Sequence, residues 1–249
     1  WLGRARQAQG EEQGGVCPTN QPKKQVTNMA TQYKITITGT SPLLMHQDNF
    51  RWDEKIKEWQ NDPANKKATT PGDDRTPAHK WIGNLYQDMG NVVIPADNLM
   101  TMLREGGKRI PTGKGQQTFK SQSQSGIIVD QAAWPVIVEG GEIDVSDILD
   151  LTSVSDFAKH EEYAENKGFE LFCKRAKVGQ NKHIRVRPLF RNWQANGSVT
   201  VLDATITEKI LALILSNAGA YCGLGDWRPS APKSPGQFGK FTAEIERVL

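Results

Sequence analysis

Cysteine, long apolar runs and a large net charge are the features that this sequence of 249 residues has least of. Its three cysteines, Cys17, Cys173 and Cys222, are scattered and form no Cys-x-x-Cys pair, which argues against a zinc site or a disulfide framework and favours a reducing compartment. No run of 18 apolar residues occurs, so we expect no transmembrane helix. The N-terminal segment also lacks the apolar core of a signal peptide. These absences together predict a cytoplasmic protein.

The net charge is only +3, and residues 1–28 contribute +2 of it. The overall charge therefore does not indicate a nucleic-acid partner, and only the distribution of charge can do so. Residues 1–28 are polar and lack hydrophobic periodicity, and Met29 is the expected natural start, so we interpret this segment as a disordered or non-native extension. The remainder, 29–249, is expected to form one domain.

Glycine is concentrated near the end of the chain, in a segment that we call the glycine-rich loop (residues 223–239). It is not a Rossmann turn, because Arg228 stands where the third glycine belongs and because the segment follows a helix. Gly113-Lys114 is not a Walker A loop, because Lys108 replaces its first glycine. We therefore expect no cofactor and no bound metal. Glycines permit positive φ angles and leave amides uncovered for an incoming phosphate, a role predicted here for Gly223, Gly225, Gly236 and Gly239.

The hydrophobic pattern predicts a mixed α+β fold. Alternation predicts strands at residues 33–37, 127–129, 136–138 and 241–248. Helices are predicted at residues 96–105 and at 205–221, the second with a capping box formed by Thr205 and Glu208. A turn at Asn196-Gly197 is expected to join an arginine-rich strand to the next strand in a hairpin. This order predicts a ferredoxin-like or RRM-like antiparallel sheet with helices on one face, interrupted by polar insertions at about 47–80 and 139–173.

Positive charge is concentrated in three segments. The first, which we call the basic loop (residues 108–120), has four cations and one phenylalanine that we expect to be exposed. The second, residues 174–191, has seven cations and no acid. The alternation of its apolar and polar residues predicts that Arg185 and Arg187 project from one exposed face. The third is the glycine-rich loop. Nucleic-acid contacts are predicted for Lys108, Arg109, Lys114, Phe119, Lys120, Lys174, Arg175, Lys177, Lys182, Arg185, Arg187, Arg191, Trp227, Arg228, Lys233 and Phe238.

Each of these assignments has an alternative. The basic segments also fit a charged, solvated surface, and Trp227 also fits a role as a core anchor of its loop. Residues 139–170 hold ten acids against two lysines. We expect this acidic block to face away from a polyanion or to dock on a basic neighbour.

The helix, the Gly-x-Gly, the later Gly-x-x-Gly and the closing strand together resemble the glycine-rich loop of the RAMP superfamily, the RRM-like CRISPR proteins that include Cas5, Cas6 and Cas7. Residues 35–46 similarly resemble the first strand and turn of Cas7-like proteins. The ending Gly-Leu-Gly-Asp-Trp-Arg-Pro is also similar to that of uncharacterised phage and bacterial reading frames. The resemblance covers mainly residues 33–46 and 183–248, and it implies an RRM-like fold in a bacterial or phage-infected cell.

The leading hypothesis is a non-catalytic protein that binds single-stranded nucleic acid and assembles along the strand as a Cas7-like backbone does. RNA is preferred over DNA by resemblance alone. Cations would neutralise phosphates, and Phe119, Trp227 or Phe238 would stack on bases. One alternative is a metal-independent endoribonuclease of the Cas6 kind that uses His46 or His183, and Asp48 is a candidate for metal-dependent cleavage. Another is a phage assembly protein that binds only protein.

Overall fold

The computed structural model describes residues 30–67, 76–178 and 181–248, with the backbone alone at 66–67, 175–178 and 181–183. The extension predicted at residues 1–28 therefore lies outside the described residues. The strands are β1 (Thr31–Gly39), β2 (Leu43–Leu44), β3 (Gln87–Asp88), β4 (Asn91–Pro95), β5 (Ile127–Val129), β6 (Ala133–Val138), β7 (Gly141–Glu142), β8 (Glu170–Val178), β9 (Asn181–Phe190), β10 (Gln194–Val201) and β11 (Phe241–Arg247). The α-helices are α1 (Phe50–Asn61), α2 (Pro63–Lys67), α3 (Ala96–Gly107), α4 (Lys120–Ser125), α5 (Phe157–Asn166) and α6 (Glu208–Asn217).

The fold is α+β, as predicted, with a mostly antiparallel main sheet and several helices. Along the main sheet the strands run β11-β1-β10-β6-β4-β3, and β5 and β7 pair with β10 and β6. Strand β1 is central because it pairs along its length with both β10 and β11. Its side chains Tyr33, Ile35 and Ile37 are buried, which confirms the predicted alternation. Helices α3 and α6 pack on one another over this core.

A second, smaller sheet has the order β2-β9-β8. Strands β8 and β9 pair along their whole length, from Glu170 opposite Leu189 to Val178 opposite Asn181, and we call this pair the basic hairpin (residues 170–190). The prediction that the arginine-rich strand forms a hairpin with residues 198–202 is therefore wrong, because β9 and β10 belong to different sheets. Asn196 and Gly197 lie inside β10. A glycine is needed there because a Cβ at Gly197 would lie 2.0 Å from Nε1 of Trp134.

Within the described residues the two insertions contain helices and contact one another. Helix α1 buries Trp52 and Ile56, and a 3-10 helix follows at Ala78–Asn84. Within the second insertion α5 buries His160. The indole Nε1 of Trp81 donates a hydrogen bond of 3.1 Å to Nδ1 of His160. These aromatic side chains were too widely spaced in the sequence to show a periodic pattern.

Helix α6 begins three residues later than predicted. The hydroxyl of Thr207 accepts from the amide of Ile210 and caps the helix, whereas Thr205 donates from its amide and its hydroxyl to the carboxylate of Asp203. The predicted capping box of Thr205 and Glu208 is therefore wrong, because Asp203 holds Thr205 in a turn before the helix. A π-helical turn at Ala218–Cys222 ends the helix. No helix within the described ranges is long and apolar enough to cross a bilayer.

Candidate functional site

The glycine-rich loop connects the π-helical turn to β11 and folds back on the protein. The amides of Gly223, Gly236 and Gly239 donate to the carbonyl oxygens of Ala218, Arg228 and Pro42, respectively. At these three glycines the prediction of open amides is wrong, because each amide already donates to a carbonyl oxygen of the protein. Gly239 has a φ of +69°, and a Cβ there would lie 1.8 Å from the carbonyl oxygen of Leu224. The glycines at this point permit close packing of the loop rather than an exposed phosphate cradle.

An ion pair between Arg187 and Asp226 ties the loop to β9. The side chain of Arg187 is only 4% exposed and that of Asp226 is 23% exposed. Burial lowers the pKa of Arg187, and the neighbouring carboxylate of Asp226 partly offsets the shift. The prediction that Arg187 projects from an exposed face is therefore wrong. Its neighbour Arg185 is exposed, as predicted.

Trp227 lies at the centre of an aromatic cluster between the loop and the basic hairpin. Its ring packs against Phe172 and Phe238, with centroid distances of 6.0 and 6.2 Å. Two cations lie over the same ring: Nζ of Lys174 is 4.1 Å and Cζ of Arg187 is 4.7 Å from its centroid. Trp227 and Phe238 are both half-buried. The tryptophan therefore anchors the loop and still presents part of its surface beside exposed Lys174.

Arg228 is committed largely to holding the shape of the loop. Its Nη1 donates to the carbonyl oxygen of Gly225 at 2.9 Å, and its Nε donates to Oγ of Ser230 at 3.2 Å. Lys233 lies in the exposed part of the same loop. Lys233 can therefore contact a phosphate, whereas Arg228 has only its third guanidinium nitrogen left for such a contact.

The basic loop begins next to the start of the glycine-rich loop. Cζ of Arg109 lies 5.0 Å from the ring centroid of Tyr221, just before the first glycine. Burial raises the pKa of the Cys222 thiol, and the nearby guanidinium of Arg109 partly offsets the shift. Lys114 lies between two positive-φ glycines at an exposed tip. Lys108 and Lys120 are also exposed.

Phe119 does not lie where the sequence analysis placed it. Its side chain is only 7% exposed and belongs to the main core. The cause is local, because the amide of Phe119 donates to the carbonyl oxygen of Ile110 and closes a hairpin-like loop over residues 110–119. The prediction of an exposed ring for base stacking is therefore wrong at Phe119, and the aromatic surface of the site comes from the cluster around Trp227 instead.

The basic hairpin carries the densest positive charge, with no acid at residues 171–190. Lys174 lies opposite Arg185 in the register, and both side chains are exposed. At the base of the hairpin Arg191 donates to both carboxylate oxygens of Glu170, at 2.5 and 2.8 Å, and this contact lowers the pKa of Glu170. Four predicted side chains lie outside the described residues: Arg175, Lys177, Lys182 and His183.

A polar cleft of about 210 Å³ opens beside the glycine-rich loop. Asn98, Thr101 and Glu105 line the cleft and are spaced to share one face of α3. His46 and Tyr86 also line the cleft. The sequence analysis missed this face of α3. The sequence did contain a signal for it. Asn98, Thr101 and Glu105, at positions i, i+3 and i+7, form a polar stripe beside the buried apolar stripe of Leu99, Met102 and Leu103.

His46 is exposed at the mouth of this cleft. Desolvation by its surroundings lowers its pKa, the positive charge of Arg187 lowers it further, and the carboxylate of Asp226 partly offsets the shift. A neutral imidazole can accept a proton at pH 7. Asp48 is exposed nearby. The described residues contain no group of three or more His, Cys, Asp or Glu side chains that could hold a metal ion.

The open face of the main sheet is a poor match to the stacking surface of an RRM. That face has a groove of about 640 Å³ lined by Lys34, Glu244 and Glu246 together with neutral polar and aliphatic residues. Lys34 is paired in register with Glu246, and the carboxylate of Asp130 accepts from Ser198 and Thr200 beside it. RRM sheets stack bases on aromatic side chains, and no aromatic residue lines this groove.

The basic loop and the basic hairpin, which are far apart in the sequence, thus both lie beside the glycine-rich loop, which is the third basic segment. Arg109 lies where the loop begins, and Lys174 and Arg187 lie over its tryptophan. In a comparison with known families and curated proteins, the chain matches no protein-family model and no curated protein.

Proposed function

We propose that this protein binds single-stranded nucleic acid, RNA in preference to DNA, without cutting it. The observation that carries the proposal is that the basic hairpin and the glycine-rich loop share one half-buried aromatic cluster, while the basic loop contacts Tyr221 just before the same glycine-rich loop. Flexible cations beside an aromatic surface are what a single strand requires, because phosphates need positive charge and bases need a flat apolar partner. Exposed Lys174 and Arg185 supply the charge on the hairpin, and the partly exposed Trp227 supplies the ring.

The contact surface in this proposal is the basic hairpin with the glycine-rich loop, rather than the main sheet. Acidic side chains on the open sheet face would repel phosphates. The preference for RNA rests on the resemblance to Cas7-like proteins alone, and so does assembly of several copies along a strand in a CRISPR-like or phage complex.

We further propose that the fold is ferredoxin-like. In support, β1, α3, β5 with β6, β10, α6 and β11 follow one another in the β-α-β-β-α-β order of that fold. Their strands lie side by side as last, first, third and second, with every neighbour antiparallel. The same arrangement is what the resemblance to the RAMP superfamily implies.

Fluorescence anisotropy with a labelled single-stranded RNA tests the proposed surface. The double variant Lys174→Ala/Arg185→Ala removes two exposed cations from the hairpin, and we expect the slope of log K against log salt to flatten by about 0.7 per lost phosphate contact. The matched control is Lys34→Ala, which removes one exposed cation from the open sheet face and should leave the slope unchanged. A slope that depends on Lys34 and not on the hairpin cations would place the strand on the sheet.

His46 supports a second candidate function, a metal-independent endoribonuclease of the Cas6 kind. Its lowered pKa keeps the imidazole neutral near pH 7, and it lies at a cleft next to the proposed strand. A general base for the 2′-hydroxyl would need this protonation state. Denaturing gels of the binding reactions test it, because cleavage that disappears in His46→Ala would establish the nuclease, and an intact strand in the wild-type reaction would remove it.

A further inference from the structure

The polar cleft beside the glycine-rich loop has hydrogen-bonding side chains that the protein does not use. Asn98 and Thr101 line it and form no side-chain hydrogen bond with the described part of the chain. Glu105 faces Nη2 of Arg104 at 3.4 Å and Nζ of Lys108 at 4.0 Å. Both distances exceed the ~2.7–2.9 Å of a charge-assisted hydrogen bond. The carboxylate therefore keeps acceptor sites for a hydrogen bond from a ligand in addition to these ion pairs.

The dimensions of the cleft fit a small planar group. Its volume of about 210 Å³ lies below the ~300 Å³ at which drug-sized ligand sites begin. Tyr86 and His46 supply flat rings, and Met102 supplies an apolar contact at the wall. A single nucleobase matches this combination, because it has two flat faces and a polar edge.

The cleft also lies where a bound strand would reach it. Asp226 and Arg228 of the glycine-rich loop line the cleft, and the next residue of the same loop, Trp227, packs on the basic hairpin. A strand whose phosphates follow the hairpin and the loop would therefore pass the mouth of the cleft. One unstacked base could enter it while the backbone remains outside.

We propose that this cleft receives one base of the bound strand and selects a base with an exocyclic amino group, which donates to the carboxylate of Glu105. Cytosine, adenine and guanine have such a group, whereas uracil has a carbonyl oxygen at the corresponding edge. A uracil would place that oxygen against the carboxylate, and two acceptors repel each other. The proposal rests on the proposed function, because it requires that a strand binds at all.

The test compares a labelled oligouridine with the same oligouridine carrying one central cytidine, by anisotropy with the full chain. We expect the single cytidine to tighten binding by about tenfold, because a hydrogen bond to a charged group discriminates by roughly that factor. In Glu105→Ala the two oligonucleotides should bind equally. In Glu105→Gln the ratio should fall to about threefold, because a neutral hydrogen bond is about half as strong. Asp97→Ala, which removes an exposed carboxylate from the first turn of the same helix, should retain the full ratio.

The outcomes separate the two proposals. Failure of both oligonucleotides to bind overturns the proposed function and this inference with it. Binding of both with equal affinity to the wild-type protein overturns only the inference, and so does a tenfold ratio that persists in both Glu105 variants. Since Gln has nearly the shape of Glu, Glu105→Gln keeps the test valid if the alanine variant does not fold.

Discussion

Arg185 and Arg187 are two residues apart on one strand, yet we expect their replacement to affect different properties of the protein. Arg187 is buried and paired with Asp226, whereas Arg185 is exposed. We expect Arg187→Ala to destabilise the fold and Arg185→Ala to weaken nucleic-acid binding with little effect on stability. The sequence alone predicts the same role for both arginines, so this comparison distinguishes the structural account from the sequence pattern.

The size of the Arg187 effect follows from the exposure of its partner. Removing one member of a fully buried ion pair costs about 3–5 kcal/mol, because the remaining charge is left without a counter-ion. The side chain of Asp226 is 23% exposed, so water partly hydrates the orphaned carboxylate and we expect about 2–3 kcal/mol. Loss of the cation–π contact with Trp227 adds about 0.5–1 kcal/mol. The total corresponds to a fall in Tm of about 5–15 °C for a chain of this size.

Urea unfolding followed by tryptophan fluorescence measures both variants. Arg185→Ala should remain within about 0.5 kcal/mol of the wild-type protein, as exposed substitutions usually do. The double variant Arg187→Ala/Asp226→Ala should be more stable than Arg187→Ala alone, because it removes the orphaned charge. Equal stability of Arg185→Ala and Arg187→Ala, or no recovery in the double variant, would refute the buried ion pair.

Two further predictions concern stability. Gly239→Ala should destabilise the protein by more than about 2 kcal/mol in urea unfolding, because its Cβ would meet a backbone oxygen in addition to the strain of positive φ. Gly113→Ala, which has a φ of +79° and open space around it, should cost only about 1 kcal/mol, and equal costs would contradict the close packing. Burial lowers the pKa of His79, and the nearby His160 lowers it further, so the unfolded state binds protons more readily and stability should fall as pH drops below about 6.5. His79→Phe should flatten this pH profile, and an unchanged slope between pH 5 and 7 would show that His79 is not responsible.

Local alternation and helical periodicity were sufficient to predict the main elements of the fold. Residues 33–37, 96–105 and 241–248 were assigned correctly, because each has a regular apolar stripe that one neighbouring layer buries. Asn196-Gly197 was misassigned because a glycine that admits a packed indole has the same sequence signature as a glycine in a turn. The packing of the insertions was not predicted because their buried residues, such as Trp52 and His160, are few and irregularly spaced.

The candidate site was predictable in its segments and not in its geometry. Charge counting found the basic loop and the basic segment 174–191, and the concentration of glycine found the glycine-rich loop. Neither pattern could show that Arg187 turns inward, because the carboxylate that holds it there, Asp226, is distant in the sequence. Phe119 was misassigned for a similar reason. Its polar neighbours in the chain gave no sign that the loop over residues 110–119 closes on itself and directs the ring into the core. The polar face of α3 that lines the cleft was not predicted, because its place in the site depends on which face of that helix the glycine-rich loop covers.

The most direct measurement of the central claim is the affinity of the wild-type protein for single-stranded RNA and single-stranded DNA over a series of salt concentrations. The account predicts binding that weakens as salt rises, with a slope of log K against log salt of about −2 or steeper, equivalent to at least about three neutralised phosphates. It also predicts a higher affinity for RNA and an intact strand after incubation. Absence of binding to either polymer at about 50 mM salt, where phosphate contacts are strong, would contradict the account.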